Sequence, residues 1–268
     1  MSWLKLTSEF LFLMKGGTNE FLDKVQLNPH GTPANEEFLL DIPKDWFQRS
    51  DVPRRITIDV DSTEKPNPAS KGFDPDDVFS KVIERSAWNA TPPTSRFEIV
   101  DRPKYIVIHH TDHTTNPSKE TLQGAEDLAK DIQTYHMSNT PDPRDDKPWS
   151  DIGYNFLNTV GGFLLEGRFG SLEEAIKGNS VRGAHSSAVE GNRSPGIANE
   201  GNFSVNQNMP PAQWSKLVEL CAALCQSCDI DPADIRGHRD FVNTDCPGDW
   251  LYAQLPKLIK EVAQKLAS

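Results

Sequence analysis

The densest chemistry in the chain lies in Gly237-His238-Arg239-Asp240-Phe241-Val242-Asn243-Thr244-Asp245-Cys246-Pro247-Gly248. His and Cys are both strong zinc ligands. His238 and Cys246 are out of phase for one helix face, but a loop closes that distance easily, and Pro247-Gly248 sets a turn directly after the cysteine. The same residues also fit a loop histidine beside a buried cysteine. A second cluster, His109-His110-Thr111, follows the apolar run Tyr105-Ile106-Val107-Ile108. Side chains at strand ends are aimed by a rigid sheet. Successive strand residues point to opposite faces, so a regular strand brings one of these two histidines, not both, to a given site. His113 stands close by as a competing ligand. A third cluster, Trp149-Ser150-Asp151-Ile152-Gly153-Tyr154-Asn155-Phe156, offers a tyrosine hydroxyl that could hold a water or face developing oxyanion charge; it equally fits a core aromatic with a satisfied hydroxyl.

These clusters need elements to position them. Tyr105–Ile108 reads as a strand buried on both faces. Pro117-Ser118 marks a helix start with Ser118 as cap, and Leu122, Ala125, Leu128, Ala129 and Ile132 follow at helical spacing. After a Pro- and Asp-rich loop over 139–148 come strands around Tyr154–Leu157 and Phe163–Leu165, joined by the hairpin signal Gly161-Gly162. Gly196–Phe203 suits another strand. Pro211–Cys228 is an amphipathic helix, and a last helix carries Leu255, Leu258, Ile259, Val262 and Leu266. The expected architecture is α/β, a central mixed sheet flanked by helices. Residues 1–61 form a small β-rich module with runs at Phe10–Leu13 and Ile56–Val60 and a loop at Asn28–Gly31. Residues 62–81, rich in polar residues and proline, read as a linker, and 82–268 as the main domain.

Composition bounds the partners. The chain has 268 residues, 36% hydrophobic and 25% charged, with 20 prolines and 17 glycines, a loop-rich globular profile. A net charge of −11 without a basic patch argues against a nucleic-acid partner and against electrostatic adhesion to anionic surfaces. No run approaches the ~20 apolar residues of a membrane span. The amino-terminal segment reads as first strands rather than a signal peptide, so synthesis in the cytoplasm is expected, with any delivery to a cell wall by a non-classical route or lysis. Of four cysteines, Cys221, Cys225 and Cys228 share one helix stripe and are expected in the core.

Taken in order, the motifs resemble those of the peptidoglycan recognition protein and type 2 N-acetylmuramoyl-L-alanine amidase superfamily, which includes small phage lysins. The matching segments are Arg85-Ser86-Ala87-Trp88-Asn89-Ala90 with Pro92-Pro93, Ile106–Thr111, Gln133-Thr134-Tyr135-His136-Met137, Trp149–Phe156, Glu166-Gly167-Arg168, Gly183-Ala184-His185, Gly196-Ile197-Ala198 with Gly201-Asn202-Phe203, and Gly237–Gly248. The resemblance covers about residues 82 to 262.

The resemblance implies one zinc ion on His109, His238 and Cys246, with a fourth position left for water whose pKa the metal lowers toward about 7. It implies cleavage of the amide between the lactyl group of muramic acid and L-alanine of the stem peptide, with Tyr154 and Thr244 organising the water and the transition state. It also implies a groove for peptidoglycan or muropeptide, lined in part by His185, which equally fits a structural loop histidine. Members that bind without cutting typically lack the cysteine, so a non-catalytic muropeptide binder is the alternative reading. Ala198 stands where some members carry a glutamate proposed as general base; Glu200, two residues on, falls on the same strand face. Pro195 removes a backbone donor ahead of Gly196. Residues 170–182 read as an extended loop near the groove, His136 as structural, and the amino-terminal module as a possible docking element for a partner.

Overall fold

A computed structural model of the chain describes the backbone of residues 3–6, 10–14 and 21–26, and residues 72–112, 118–138 and 148–268 in full. The runs at Ile56–Val60 and Asn28–Gly31, the linker stretch 62–71, His113, Pro117 and the loop 139–147 lie outside the described residues. The chain divides into two units, Met1–Pro68 and Ala69–Ser268.

In the first unit, β1 (Trp3–Leu6), β2 (Phe10–Met14) and β3 (Phe21–Gln26) form an antiparallel sheet in the order β1-β2-β3, with a register irregularity between Leu13 and Met14.

The second unit begins with α1 (Pro75–Phe79), inside the stretch read as linker. Asp74 caps it by accepting from Asp76 N–H at 3.0 Å, and Val78 and Phe79 are buried. Then come β4 (Ile99–Asp101), β5 (Ile106–His110), α2 (Leu122–Ser138), β6 (Phe156–Asn158), β7 (Leu164–Glu166), α3 (Ser171–Ile176), β8 (Asn179–Val181), α4 (Val189–Asn192), β9 (Gly196–Asn199), α5 (Pro211–Cys228), β10 (Ile235–Gly237), α6 (Asp249–Ala253) and α7 (Leu255–Leu266). The main sheet runs β10-β5-β9-β6-β7. The first three pairings are parallel and β6-β7 is antiparallel, so it is mixed. β4 and β8 make a separate antiparallel pair.

Two apolar clusters sandwich this sheet. On one face Ile106 and Ile108 of β5, Ile197, Phe156, Leu164 and Ile235 pack against α1, α5 and α7. Helix α5 is amphipathic in sequence yet buried nearly all round, since Leu220, Ala222 and Ala223 are covered along with Leu217, Cys221 and Leu224. Each fully buried leucine of this kind contributes about 1.5–3 kcal/mol. On the other face α2 lays Ala125, Leu128, Ala129 and Ile132 over Leu157, Leu165 and Ala198.

Two local expectations change. Ser118 does not cap α2. Thr121 does, accepting from Gly124 N–H at 3.1 Å, while Ser118 is drawn to Glu200. Residues 170–182 are not an extended loop: they form α3 and β8, which pairs with β4 through Val181 opposite Ile99. The strand expected over Gly196–Phe203 ends at Asn199.

Candidate metal centre

Parallel pairing of β5 and β10 sets the first two donors. Gly237 stands opposite Ile108, so His238, the next residue, emerges level with His109 at the carboxyl end of the neighbouring strand. Parallel sheets place their sites at such ends. After Gly237 the chain enters a 3-10 turn, His238–Asp240, whose Asp240 accepts from Gly237 N–H at 2.8 Å and from the Tyr252 hydroxyl at 2.6 Å.

Cys246 returns to this point through Arg239. The Arg239 backbone N–H donates to the Cys246 carbonyl at 3.1 Å. Its guanidinium reaches the Asp245 carbonyl and, at 2.8 Å, Asp249, and lies 4.8 Å from the centre of the Tyr252 ring. Arg239 is thus the clamp that closes the loop. The sequence gives no sign of this role, because it depends on partners distributed along the loop. The Cys246-Pro247 peptide is cis.

One donor atom from each of His109, His238 and Cys246 lies within 4.8 Å of the others. Cys246 Sγ is 3.5 Å from His109 Nδ1, and the His109 and His238 rings are 4.4 Å apart. Burial lowers the pKa of His109 and takes His238 down to about 4, so both imidazoles are neutral with a lone pair to give. Burial pushes the Cys246 thiol up to about 12. Both ring nitrogens of His238 are buried without a hydrogen-bond partner among the described residues. An unpartnered buried polar group costs about 1–3 kcal/mol, and a metal ion would remove that cost at one of the two nitrogens. Two neutral imidazoles and one thiolate are a zinc donor set, and three protein ligands leave one position open.

Tyr154 flanks this triad, its ring 5.4 Å from His109. Burial raises its pKa, so the hydroxyl stays protonated. The loop behind it is tied down by Asp151, which is fully buried and accepts from Arg85 (3.1 Å), Gln133 (2.7 Å), Ile152 N–H (2.8 Å) and Phe169 N–H (2.9 Å). His136 accepts from Gly153 N–H at 3.1 Å and stacks near Trp149, a structural placement. Thr244 accepts weakly from Cys246 N–H at 3.3 Å, two residues before the cysteine.

Three other candidates are occupied by the protein. His110 points away from the triad and accepts from Phe203 N–H at 3.2 Å. Glu200, read from the sequence as sharing the strand face of Ala198, is buried with its carboxylate taken by Ser118 N–H (2.6 Å), Ser118 Oγ (2.7 Å) and Val160 N–H (2.9 Å), so it ties loops together. His185, expected to line a substrate groove, is buried with Nδ1 3.0 Å from His109 Nε2 and Nε2 3.1 Å from the Ser194 carbonyl. With both nitrogens engaged it offers no polar atom to a ligand. Burial lowers its pKa to about 3, so the ring is neutral. Pro195 lacks an N–H, but its carbonyl still accepts from Val107 N–H at 2.9 Å, so the parallel ladder begins intact.

Comparison with known proteins adds to this geometry. Residues 100–249 match the family model described as N-acetylmuramoyl-L-alanine amidase. The chain is 30% identical over 175 residues to peptidoglycan-recognition protein SC2 of Drosophila simulans, covering 65% of this chain and 84% of that one. It is 29% identical over 173 residues to human N-acetylmuramoyl-L-alanine amidase, covering 64% of this chain and 27% of that one. Among solved structures, it is similar to peptidoglycan recognition protein-LE in complex with tracheal cytotoxin, a monomeric diaminopimelic acid-type peptidoglycan (TM-score 0.54, 27% identity, 66% of this chain and 94% of that one). Drosophila PGRP-LB is also similar (TM-score 0.51, 27% identity, 65% and 91%).

Proposed function

The chain belongs to the N-acetylmuramoyl-L-alanine amidase family, and from that premise we propose that it is a zinc-dependent hydrolase of the amide between the muramic acid lactyl group and L-alanine of the peptidoglycan stem peptide. The convergence of His109, His238 and Cys246 donor atoms within 4.8 Å carries this reading, because a protein that only bound peptidoglycan would have no use for that set. His109, His238 and Cys246 would hold the ion. Bound zinc supplies Lewis-acid polarisation and brings the pKa of a water toward about 7.

The chain's own residues do the rest. Cys246 must shed its proton to ligate, so metal uptake releases a proton into solution. Tyr154, kept protonated by burial, is a fixed donor toward the oxygen on which charge develops. Thr244 braces the turn that presents Cys246 and keeps its own hydroxyl proton to donate. Water adds to the carbonyl carbon and the carbon–nitrogen bond breaks. The lactyl group is left as a carboxylate and L-alanine as a free amine.

Several relatives carry recognition in their names, and a muropeptide binder without hydrolysis is the competing reading. Mass spectrometry of purified peptidoglycan digested with the zinc-loaded protein separates the two. Stem peptides with a free L-alanine amine, absent in a Cys246→Ala control, are the expected products. Cleavage between sugars only, or no cleavage, rules the amidase out.

A further inference from the structure

We propose that His185 is a positioning residue for the metal centre: through a hydrogen-bond relay from the Ser194 carbonyl it fixes the tautomer of His109 and so aims the Nδ1 lone pair of His109 at the zinc position. This deepens the proposed function and rests on His109 being a zinc ligand.

The direction of the relay follows from its far end. A carbonyl oxygen only accepts, so the 3.1 Å contact with Ser194 puts the proton of His185 on Nε2. The neutral ring then has a bare Nδ1, which can only accept. Its 3.0 Å contact with His109 therefore puts the proton of His109 on Nε2. That leaves His109 Nδ1 bare, and Nδ1 is the nitrogen that stands 3.5 Å from Cys246 Sγ. The opposite tautomer would point an N–H at the metal position. A metal-ligating histidine depends on the partner of its other nitrogen for orientation and basicity.

The slot for His185 is built for this ring. A Cβ on Gly183 would stand 2.3 Å from His185 Cδ2, and one on Gly196 would stand 2.5 Å from both Cδ2 and Nε2. Two glycines from separate segments thus leave the room that the Cδ2–Nε2 edge of the imidazole occupies. Asn192 fixes the backbone on either side of it, its Oδ1 accepting from His185 N–H at 2.9 Å and Ser186 N–H at 2.8 Å. The spacing of Gly183, His185 and Gly196 has a physical reason here that does not involve substrate.

The test uses the full chain, metal-free, with its histidines labelled with nitrogen-15. A long-range proton–nitrogen spectrum distinguishes bare from protonated ring nitrogens, and His109 is expected as the Nε2–H form. Finding His109 as the Nδ1–H form overturns the relay. Zinc affinity, read by competition with a chelator, is expected to fall about 10–100-fold in His185→Leu. His185→Asn should recover most of it, because Asn Oδ1 can accept where His185 Nδ1 did. Wild-type affinity in His185→Leu, or an Asn variant as weak as the Leu variant, also overturns the relay. If His185→Leu does not fold, the wild-type spectrum decides alone. The tautomer is read without hydrolysis or metal, so a protein with the Nε2–H form that cuts no peptidoglycan sinks the amidase reading and leaves the relay standing.

Discussion

The two faces of the main sheet share their strands and end differently. One face is closed across all five strands, by an apolar cluster that takes Ile106 and Ile108 from β5 and Ile235 from β10. The other cluster draws on β6, β7 and β9 through Leu157, Leu165 and Ala198, and on neither β5 nor β10. Those two strands deliver His109 and His238. His109 and His110 make the contrast within a single peptide unit. The pleat sends His110 to the face of the first cluster, where it serves the Phe203 backbone, and His109 to the opposite face, where it is buried among polar side chains and joins Cys246 and His238.

That contrast predicts separable losses. Cys246→Ala should remove both zinc and hydrolysis while the metal-free protein keeps its folding transition, read by zinc stoichiometry and denaturant titration. Leu217→Ala, in the closed face, should cost about 2–5 kcal/mol of stability and leave zinc stoichiometry at one. If Leu217→Ala instead emptied the metal centre at low denaturant, the faces would not be independent. Tyr154→Phe should keep zinc and lower kcat by about 10²–10³, the usual cost of one oxyanion donor. A wild-type kcat there would remove Tyr154 from the chemistry.

Long-range contacts account for what the sequence does and does not reveal. Helix α5 has the span its apolar periodicity and Pro211 imply, and β5 is legible as a buried apolar run, because both signals are local. The His238–Cys246 spacing shows that a loop can close, while Arg239, which closes it, is silent. Ser118 looks like a cap by residue type and position. Glu200, remote in sequence, claims its hydroxyl and leaves the cap to Thr121. The linker reading of Pro75–Phe79 fails on composition alone, since one short helix with buried Val78 and Phe79 fits within a polar stretch. His185 reads as a groove residue because nothing adjacent to it in sequence announces Ser194 and His109 as its partners.

Acid should act more strongly on the face that carries His109. His109, His185 and His238 stand there and His110 on the other; burial lowers the pKa of all four. The unfolded chain takes up protons on these rings below about pH 6.5. The folded metal-free protein refuses them down to about 4 at His238 and about 3 at His185. In that window the unfolded state binds more protons, so stability contributed by these groups is full above 6.5 and falls as pH drops toward 4. Unfolding midpoints of the metal-free protein between pH 7 and 4 should show the decline, and His185→Asn should flatten it. An unchanged slope in that variant would count against His185 as a contributor.

The smallest effect separates the two neighbouring histidines. His110→Leu leaves the Phe203 N–H without its acceptor inside the closed face, which should cost about 1–3 kcal/mol. His110→Asn can restore an acceptor near Nδ1 and should recover much of that loss. Neither variant removes a proposed zinc donor, and both keep the His110 backbone N–H that reaches the Cys246 thiol, so both should bind zinc at one equivalent with near-parental affinity, measured by chelator competition. A tenfold loss of affinity in His110→Asn would mean that the β5 pleat does not insulate one face from the other. A parental affinity beside a measurable loss of stability in His110→Leu would place the division between structure and chemistry at the single peptide bond joining His109 to His110.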